Sequence, residues 1–247
     1  MATNGHRLHY LRAGSGPSVV LLHGGASDSR DWVDTMSALS HRYSLFAPDL
    51  IGFGLSDRTQ DGYYLSEFSE FIMGFIEQLG LEHPALVGHS FGGRLCLEIA
   101  VQHPEIVRKL VLVDAAGIGK VSLLGNSVLT AFWLIRKLLG RRQPFPTFLA
   151  RDGENRHWLC VDALPNIRTP TLIIWKRHDL YFPLAIARRA EALIPGSRLV
   201  VMPGYGHAPH GQNKDAFNRL LLDFLSLPSG ESPRELQLKD EWKRRVR

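Results

Sequence analysis

The residues with the clearest chemical promise lie in Gly88-His89-Ser90-Phe91-Gly92, a Gly-x-Ser-x-Gly pattern followed by Gly93. A serine hydroxyl is a weak nucleophile. It needs a base to take its proton and a sharp turn to lift it clear of the surrounding backbone. Glycines two residues to either side remove the Cβ atoms that such a turn would bring into collision. Attack on a carbonyl carbon then gives an acyl-enzyme, and water releases the acid in a second step. Histidine is the side chain whose ordinary pKa suits the base, and the chain has 11 of them. An acid is needed in turn to hold the chosen imidazole in one tautomer and favour its charged form.

A scaffold must position these groups. Short continuous apolar runs alternate with longer amphipathic ones, the pattern of strands feeding crossover helices in a mainly parallel sheet covered on both faces. Strands are expected at residues 19–22, 43–47 (stopped by Pro48), 85–87, 110–113, 171–175 and 199–202. Helices are expected at residues 67–79 (ended by Gly80), 91–103, 185–193 and 215–225. Ser90 therefore falls between a strand and a helix, whose N-terminus offers N–H groups and partial positive charge.

Three segments, taken in order, carry a family resemblance. His23-Gly24-Gly25, then Pro48-Asp49-Leu50-Ile51-Gly52-Phe53-Gly54-Leu55-Ser56-Asp57, then Gly88-His89-Ser90-Phe91-Gly92-Gly93 resemble the α/β-hydrolase superfamily, and the likeness runs over residues 6–225. The resemblance implies an α/β-hydrolase fold and a chain order of serine, acid, histidine, with the histidine in a loop after the last strand. His207, directly after Gly206 in Pro203-Gly204-Tyr205-Gly206-His207-Ala208-Pro209-His210, meets that description, with His210 as its alternative. His178, His157 and His103 have ordinary surface or packing readings. The expected acid is Asp179, because Trp175-Lys176-Arg177-His178-Asp179-Leu180-Tyr181-Phe182-Pro183 resembles the family's Trp-Gly-x-x-Asp-x-x-x-Pro. Lys176 replaces the customary glycine there. Asp114 is the rival acid, with a scaffold role expected. An oxyanion hole is implied at the backbone N–H groups of Phe91 and Gly25. Asp49 and Asp57 are expected to hold a turn beside the site, and His23 to hold its own loop.

Bulk properties narrow the classes. A chain of 247 residues with 45% hydrophobic content suits one core plus a small insertion. The expected boundaries are a core of residues 1–116 and 165–227, a short helical cap at 117–164 before the acid-bearing strand, and a charged tail at 228–247. In that tail, Ser232-Pro233-Arg234-Glu235 fits a capping box. Part of the net charge of +5 sits in this tail, which holds Arg234, Lys239, Lys243, Arg244, Arg245 and Arg247. No basic stripe interleaved with aromatics occurs elsewhere, which argues against nucleic acid. Cys96 and Cys160 make no disulfide framework, and no Cys/His cluster suggests a metal. No metal, nucleotide or redox cofactor is expected. Residues 1–14 lack an apolar signal segment and no run is long enough to span a bilayer, so a cytoplasmic setting without stable membrane insertion is expected.

Serine at the turn argues against haloalkane dehalogenase or epoxide hydrolase chemistry, where relatives carry aspartate. The leading expectation is a carboxylesterase acting on small to medium apolar esters. The alternative is a carbon–carbon bond hydrolase of the meta-cleavage type, with Arg136, Arg141 or Arg142 as candidates for a substrate carboxylate. A non-catalytic ligand-binding protein on the same fold is the third reading, and the complete set Ser90, Asp179 and His207 weighs against it. Residues 128–139, with Phe132, Trp133, Arg136 and Lys137, read as a helix that closes over an apolar acyl pocket or buries that face on the core. One short amphipathic section binds membranes only weakly, so a membrane role ranks below these.

Overall fold

The computed structural model describes residues 1–3, 5–58, 63–140 and 160–228. After a small hairpin of β1 (Ala2–Thr3) and β2 (His6–Arg7) come β3 (Tyr10–Ala13), β4 (Ser18–Leu22), α1 (Val33–Leu39) and β5 (Ser44–Pro48). Then follow α2 (Leu65–Gln78), β6 (Ala85–His89), α3 (Phe91–Gln102), β7 (Lys109–Val113) and α4 (Leu123–Leu138). The chain closes with β8 (Thr171–His178), α5 (Leu184–Leu193), β9 (Arg198–Tyr205), α6 (Pro209–Gln212) and α7 (Lys214–Leu225). The seven-stranded sheet has the order β3-β5-β4-β6-β7-β8-β9. Its β3–β5 pair is antiparallel and the other pairs are parallel.

Strand residues divide by parity between two cores. Val19, Leu21, Ala85, Val87, Val111, Val113, Leu172 and Ile174 join Met36 and Leu39 of α1 and Phe217, Leu221 and Phe224 of α7. Val20, Leu22, Leu86, Leu110, Leu112, Ile173 and Trp175 face the other way, onto Phe68, Phe71 and Phe75 of α2, Leu95 and Ile99 of α3 and Ala187 and Ala190 of α5. With no solvated face these strands have no polar alternation, which is why they read as continuous apolar runs. Each such Leu or Phe contributes about 2 kcal/mol by its burial. Lys109 is one buried exception. Its ammonium donates to the carbonyls of Phe224, Leu225 and Leu227 at 2.9, 2.9 and 2.6 Å, closing the C-terminal end of α7.

The elements depart from the sequence pattern in physically clear places. Pro48 does not stop β5 but ends it, paired with Tyr10, and a proline at the strand's last position gives up little of the ladder. The strands β8 and β9 run on to His178 and Tyr205, with a register shift between Lys176 and His178. Those extensions deliver the loops that carry Asp179 and His207. The largest departure concerns α4. It begins at Leu123, behind a Ser122 cap that accepts the Gly125 N–H at 2.9 Å. Its apolar side lies in solvent, with Leu123 89% and Leu138 85% exposed, so the expected burial on the core does not occur. The reason is where it docks: Ser122 bonds to Leu180 and Tyr181, and Gly125 packs on Tyr181, all at the helix start. Pro144, Pro146, Arg141, Arg142, His157 and the tail from residue 229 lie outside the described residues. No helix among the described residues is long and apolar enough to cross a membrane.

Candidate active site

Ser90 sits between β6 and α3 with φ +51° and ψ −110°, a conformation that costs a non-glycine residue of the order of 1–3 kcal/mol. The surrounding chain over-determines it. The Ser90 N–H donates to Val113 O at 2.9 Å, and Ser90 O accepts from the Arg94 and Ala116 N–H groups at 3.1 and 2.9 Å. The glycines are required by close approach. A Cβ on Gly88 would lie 2.4 Å from Gly92 O, and one on Gly92 would lie 2.3 Å from Leu22 O. The turn is thus wedged between β4 and β7, and only hydrogen fits at either position.

His207 follows β9 and meets the serine. Its Nε2 accepts from Ser90 Oγ at 2.8 Å, while its Nδ1–H donates to Asp179 Oδ2 at 2.7 Å. The other oxygen of Asp179 accepts the N–H groups of Tyr181 and Phe182 at 2.7 and 3.1 Å, which fixes the carboxylate in the loop after β8. The rings of Tyr181 and Phe182 lie 4.9 and 5.4 Å from that of His207. The structure therefore aligns serine, histidine and aspartate with the tautomer that lets Nε2 receive the serine proton.

Asp114 lies beneath this line, fully buried at the end of β7. Its Oδ1 accepts the Lys176 N–H at 2.8 Å, whereas Oδ2 takes no hydrogen bond among the described residues and stands 4.0 Å from His207 Nδ1. Burial, and then the charge of Asp179, push the Asp114 carboxyl well above the ordinary carboxylate range. Distance ranks Asp179 ahead of it. Lys176, in place of the family's glycine, sends its ammonium to Pro203 O at 2.9 Å and to Asn213 Oδ1. It ties the end of β9 to the start of α7, on either side of the segment bearing His207. Burial moves the Lys176 amine down.

The sequence reading gave no role to His89, the variable residue of the serine turn. Its Nε2–H donates to the backbone carbonyl of His207, so the turn that holds Ser90 also holds His207. Only the three-dimensional closeness of β6 and the loop after β9 reveals this. His210, the alternative base, is buried, stacked on Trp32 at 4.5 Å and 4.6 Å from the His89 ring, while the hydrogen bond of Ser90 goes to His207. Burial, followed by the His207 charge, lowers its pKa to about 4. His89 is lowered well below the ordinary value, first by burial and then by His210. Both imidazoles are favoured in the neutral form, so they add no positive charge beside one forming on His207. Two groups, Asp31–His89–His210 and His89–Asp114–His207, bring ligand-type atoms within 4.8 Å of one another. His89 gives its Nε2–H to the His207 carbonyl, while its Nδ1, like His210 Nδ1 and Asp114 Oδ2, has no hydrogen-bond partner among the described residues.

The residues read as scaffold are placed as such. The His23 Nδ1–H donates to Gly24 O at 2.7 Å and its Nε2 accepts the Leu50 N–H at 3.0 Å, leaving no nitrogen for proton exchange. Asp49 accepts from the N–H groups of Ser29 and Leu55 and from the His9 ring at 2.7, 2.8 and 2.9 Å. Asp57 accepts the Arg7 N–H at 2.7 Å. Gly24 lies against the serine, since a Cβ there would fall 3.3 Å from Ser90 Cβ, and Gly25 follows it, half-buried. Phe91 is the first residue of α3. His178 stacks on Tyr205, and His103 is half-buried beside Glu105.

A doubly wound sheet with a strained serine at a strand-to-helix turn, in line with a histidine and a buried aspartate, is the arrangement of hydrolases built on an α/β scaffold. The sequence model of the alpha/beta hydrolase fold family matches residues 17–152 and 143–214, and this chain belongs to that family. It is similar to the 2-hydroxy-6-oxo-2,4-heptadienoate hydrolase of Pseudomonas putida, at 30% identity over 86% of this chain and 90% of the relative. It is 28% identical to the 2-hydroxy-6-oxo-6-phenylhexa-2,4-dienoate hydrolase of Burkholderia cepacia, over 89% and 91% of the two chains. The solved structure of a meta-cleavage product hydrolase from Pseudomonas fluorescens IP01 superposes with a TM-score of 0.74 at 27% identity, covering 90% of this chain and 95% of that one.

Proposed function

We propose that the protein is a serine hydrolase that cleaves a carbon–carbon bond beside a ketone, in a substrate of the meta-cleavage product class. The observation that carries the hydrolytic part is the unbroken line from Ser90 Oγ through His207 to Asp179, at 2.8 and 2.7 Å. The bond type is supported by the relatives, which are named for dienoate ring-fission products. This reverses the order of the two readings taken from the sequence, where an ester came first.

In the proposed reaction Ser90 gives its proton to His207 Nε2 and attacks the ketone carbon. The oxyanion faces the N–H groups of Phe91 and Gly25, and Asp179 balances the imidazolium. A carbon leaving group departs with an electron pair, so it leaves only where conjugation spreads that pair, as the keto form of a 2-hydroxydienoate does. His207 returns the proton to that carbon. Water then loses a proton to His207, attacks the acyl-enzyme and releases the acid, and Ser90 recovers its proton. An ester demands less, because its alkoxide leaves without conjugation. In this reading residues 117–164 form the short cap, supported by the docking of α4 on the loop that carries Asp179.

The test is direct competition between bond types. The expected kcat/KM for 2-hydroxy-6-oxo-6-phenylhexa-2,4-dienoate exceeds that for p-nitrophenyl butyrate by at least about tenfold, equivalent to about 1.4 kcal/mol of transition-state binding. Turnover of the ester alone would return the carboxylesterase to first place. Binding of both compounds with turnover of neither would favour a ligand-binding protein.

A further inference from the structure

The most unusual surface on the molecule is α4. Leu123, Leu124, Leu134, Ile135, Leu138 and Leu139 are all exposed, and soluble proteins seldom present so many large apolar side chains on one element. Successive residues turn by about 100°. On that spacing residues 123, 124, 127, 128, 131, 134, 135, 138 and 139 share one half of the helix, and Ser127 is the only polar residue among them. Arg136 and Lys137 fall on the other half. From Ala115 to Arg151 the sequence contains no Asp or Glu.

We propose that α4 is a peripheral docking element that lays its apolar half into the headgroup boundary of an anionic lipid bilayer. An apolar half-circumference in a stretch that contains Lys120, Arg136 and Lys137 and no carboxylate complements that surface in both respects. A second copy of the chain fits less well, because its own α4 carries no carboxylate to set against these cations. Position adds a second argument. The start of α4 packs on Leu180 and Tyr181, and the Tyr181 ring is 4.9 Å from that of His207. A bilayer seated on α4 therefore lies beside the wall of the serine site, where an apolar substrate dissolved in lipid would arrive. The inference does not depend on which bond is cleaved.

The experiment is flotation of the full chain with vesicles of phosphatidylcholine plus phosphatidylglycerol, and with vesicles of phosphatidylcholine alone. The wild type is expected to float with the anionic vesicles and to be released by high salt. The double substitution Leu124→Glu/Ile135→Glu is expected to lower that partitioning by at least about tenfold while leaving the far-UV circular dichroism spectrum and the thermal unfolding midpoint unchanged. If the charged pair impairs folding, Leu123→Ser/Leu138→Ser decides by the same criterion. A wild type that ignores anionic vesicles would overturn the proposal. So would partitioning that survives both double substitutions, since the basic tail would then be responsible. A dimer that these substitutions dissolve, without any vesicle binding, would assign the face to a second copy.

Discussion

Asp179→Asn is expected to lower kcat by about 10⁴, whereas Asp114→Asn is expected to cost less than about tenfold. The two aspartates approach the same nitrogen of His207, at 2.7 and 4.0 Å, and only the shorter distance is a hydrogen bond. Their surroundings separate them. Asp179 is held by two backbone N–H groups and keeps its second oxygen aimed at the imidazole. An amide there would present an N–H donor to Nδ1 and favour the wrong tautomer, removing the base. Asp114 accepts a single backbone N–H and is driven toward its neutral form by burial and by Asp179. A carboxamide imitates that neutral group closely. Steady-state kinetics of the two variants is the check, and equal losses in both would mean that the acid has been misassigned.

The second large effect concerns acid stability. His23, His89 and His210 are buried as neutral imidazoles, each with a pKa lowered first by desolvation. A histidine lowered in the folded state binds its proton more readily when unfolded. Its stabilising contribution is therefore complete above the unfolded value of 6.5 and declines as pH falls toward the folded value, about 4 for His210. The raised carboxyl of Asp114 acts in the opposite sense, losing stability as pH rises, so a single-residue comparison is needed. For His210 alone the linkage amounts to about 2 kcal/mol between about pH 7 and about pH 5. Urea unfolding of the wild type and of His210→Asn should show the wild type losing that much more over the same interval. Parallel pH curves for the two proteins would mean that His210 is not held neutral.

Much of this scaffold can be read from the chain because burial leaves a simple imprint. The central strands β4, β6, β7 and β8 are covered on both faces, and their apolar runs are unbroken. The serine turn announces itself because only hydrogen fits beside Gly88 and Gly92. His207 and Asp179 stand where the resemblance puts them, in loops that extend β9 and β8. Less legible are contacts between segments far apart in the chain. The His89 bond to the His207 carbonyl spans 118 positions, and no local pattern encodes it. Lys176 was visible only as a departure from the family's glycine, and its tie to Pro203 and Asn213 needs the fold. The exposure of α4 was misjudged for a related reason. Periodicity gives the apolar side of a helix, but what that side meets depends on how the helix docks.

Bond type was also beyond the motifs, since ester and carbon–carbon hydrolysis make the same demands on nucleophile, base and acid. The relatives, not the triad, shift the balance.

The central claim is that Ser90 is the nucleophile, prepared by His207. The most direct measurement is covalent labelling with a fluorophosphonate, located by mass spectrometry of the peptides. One equivalent of label on Ser90 in the wild type, and none on the Ser90→Ala protein, is the predicted result. An unlabelled wild type, or label that persists after Ser90→Ala, would contradict it.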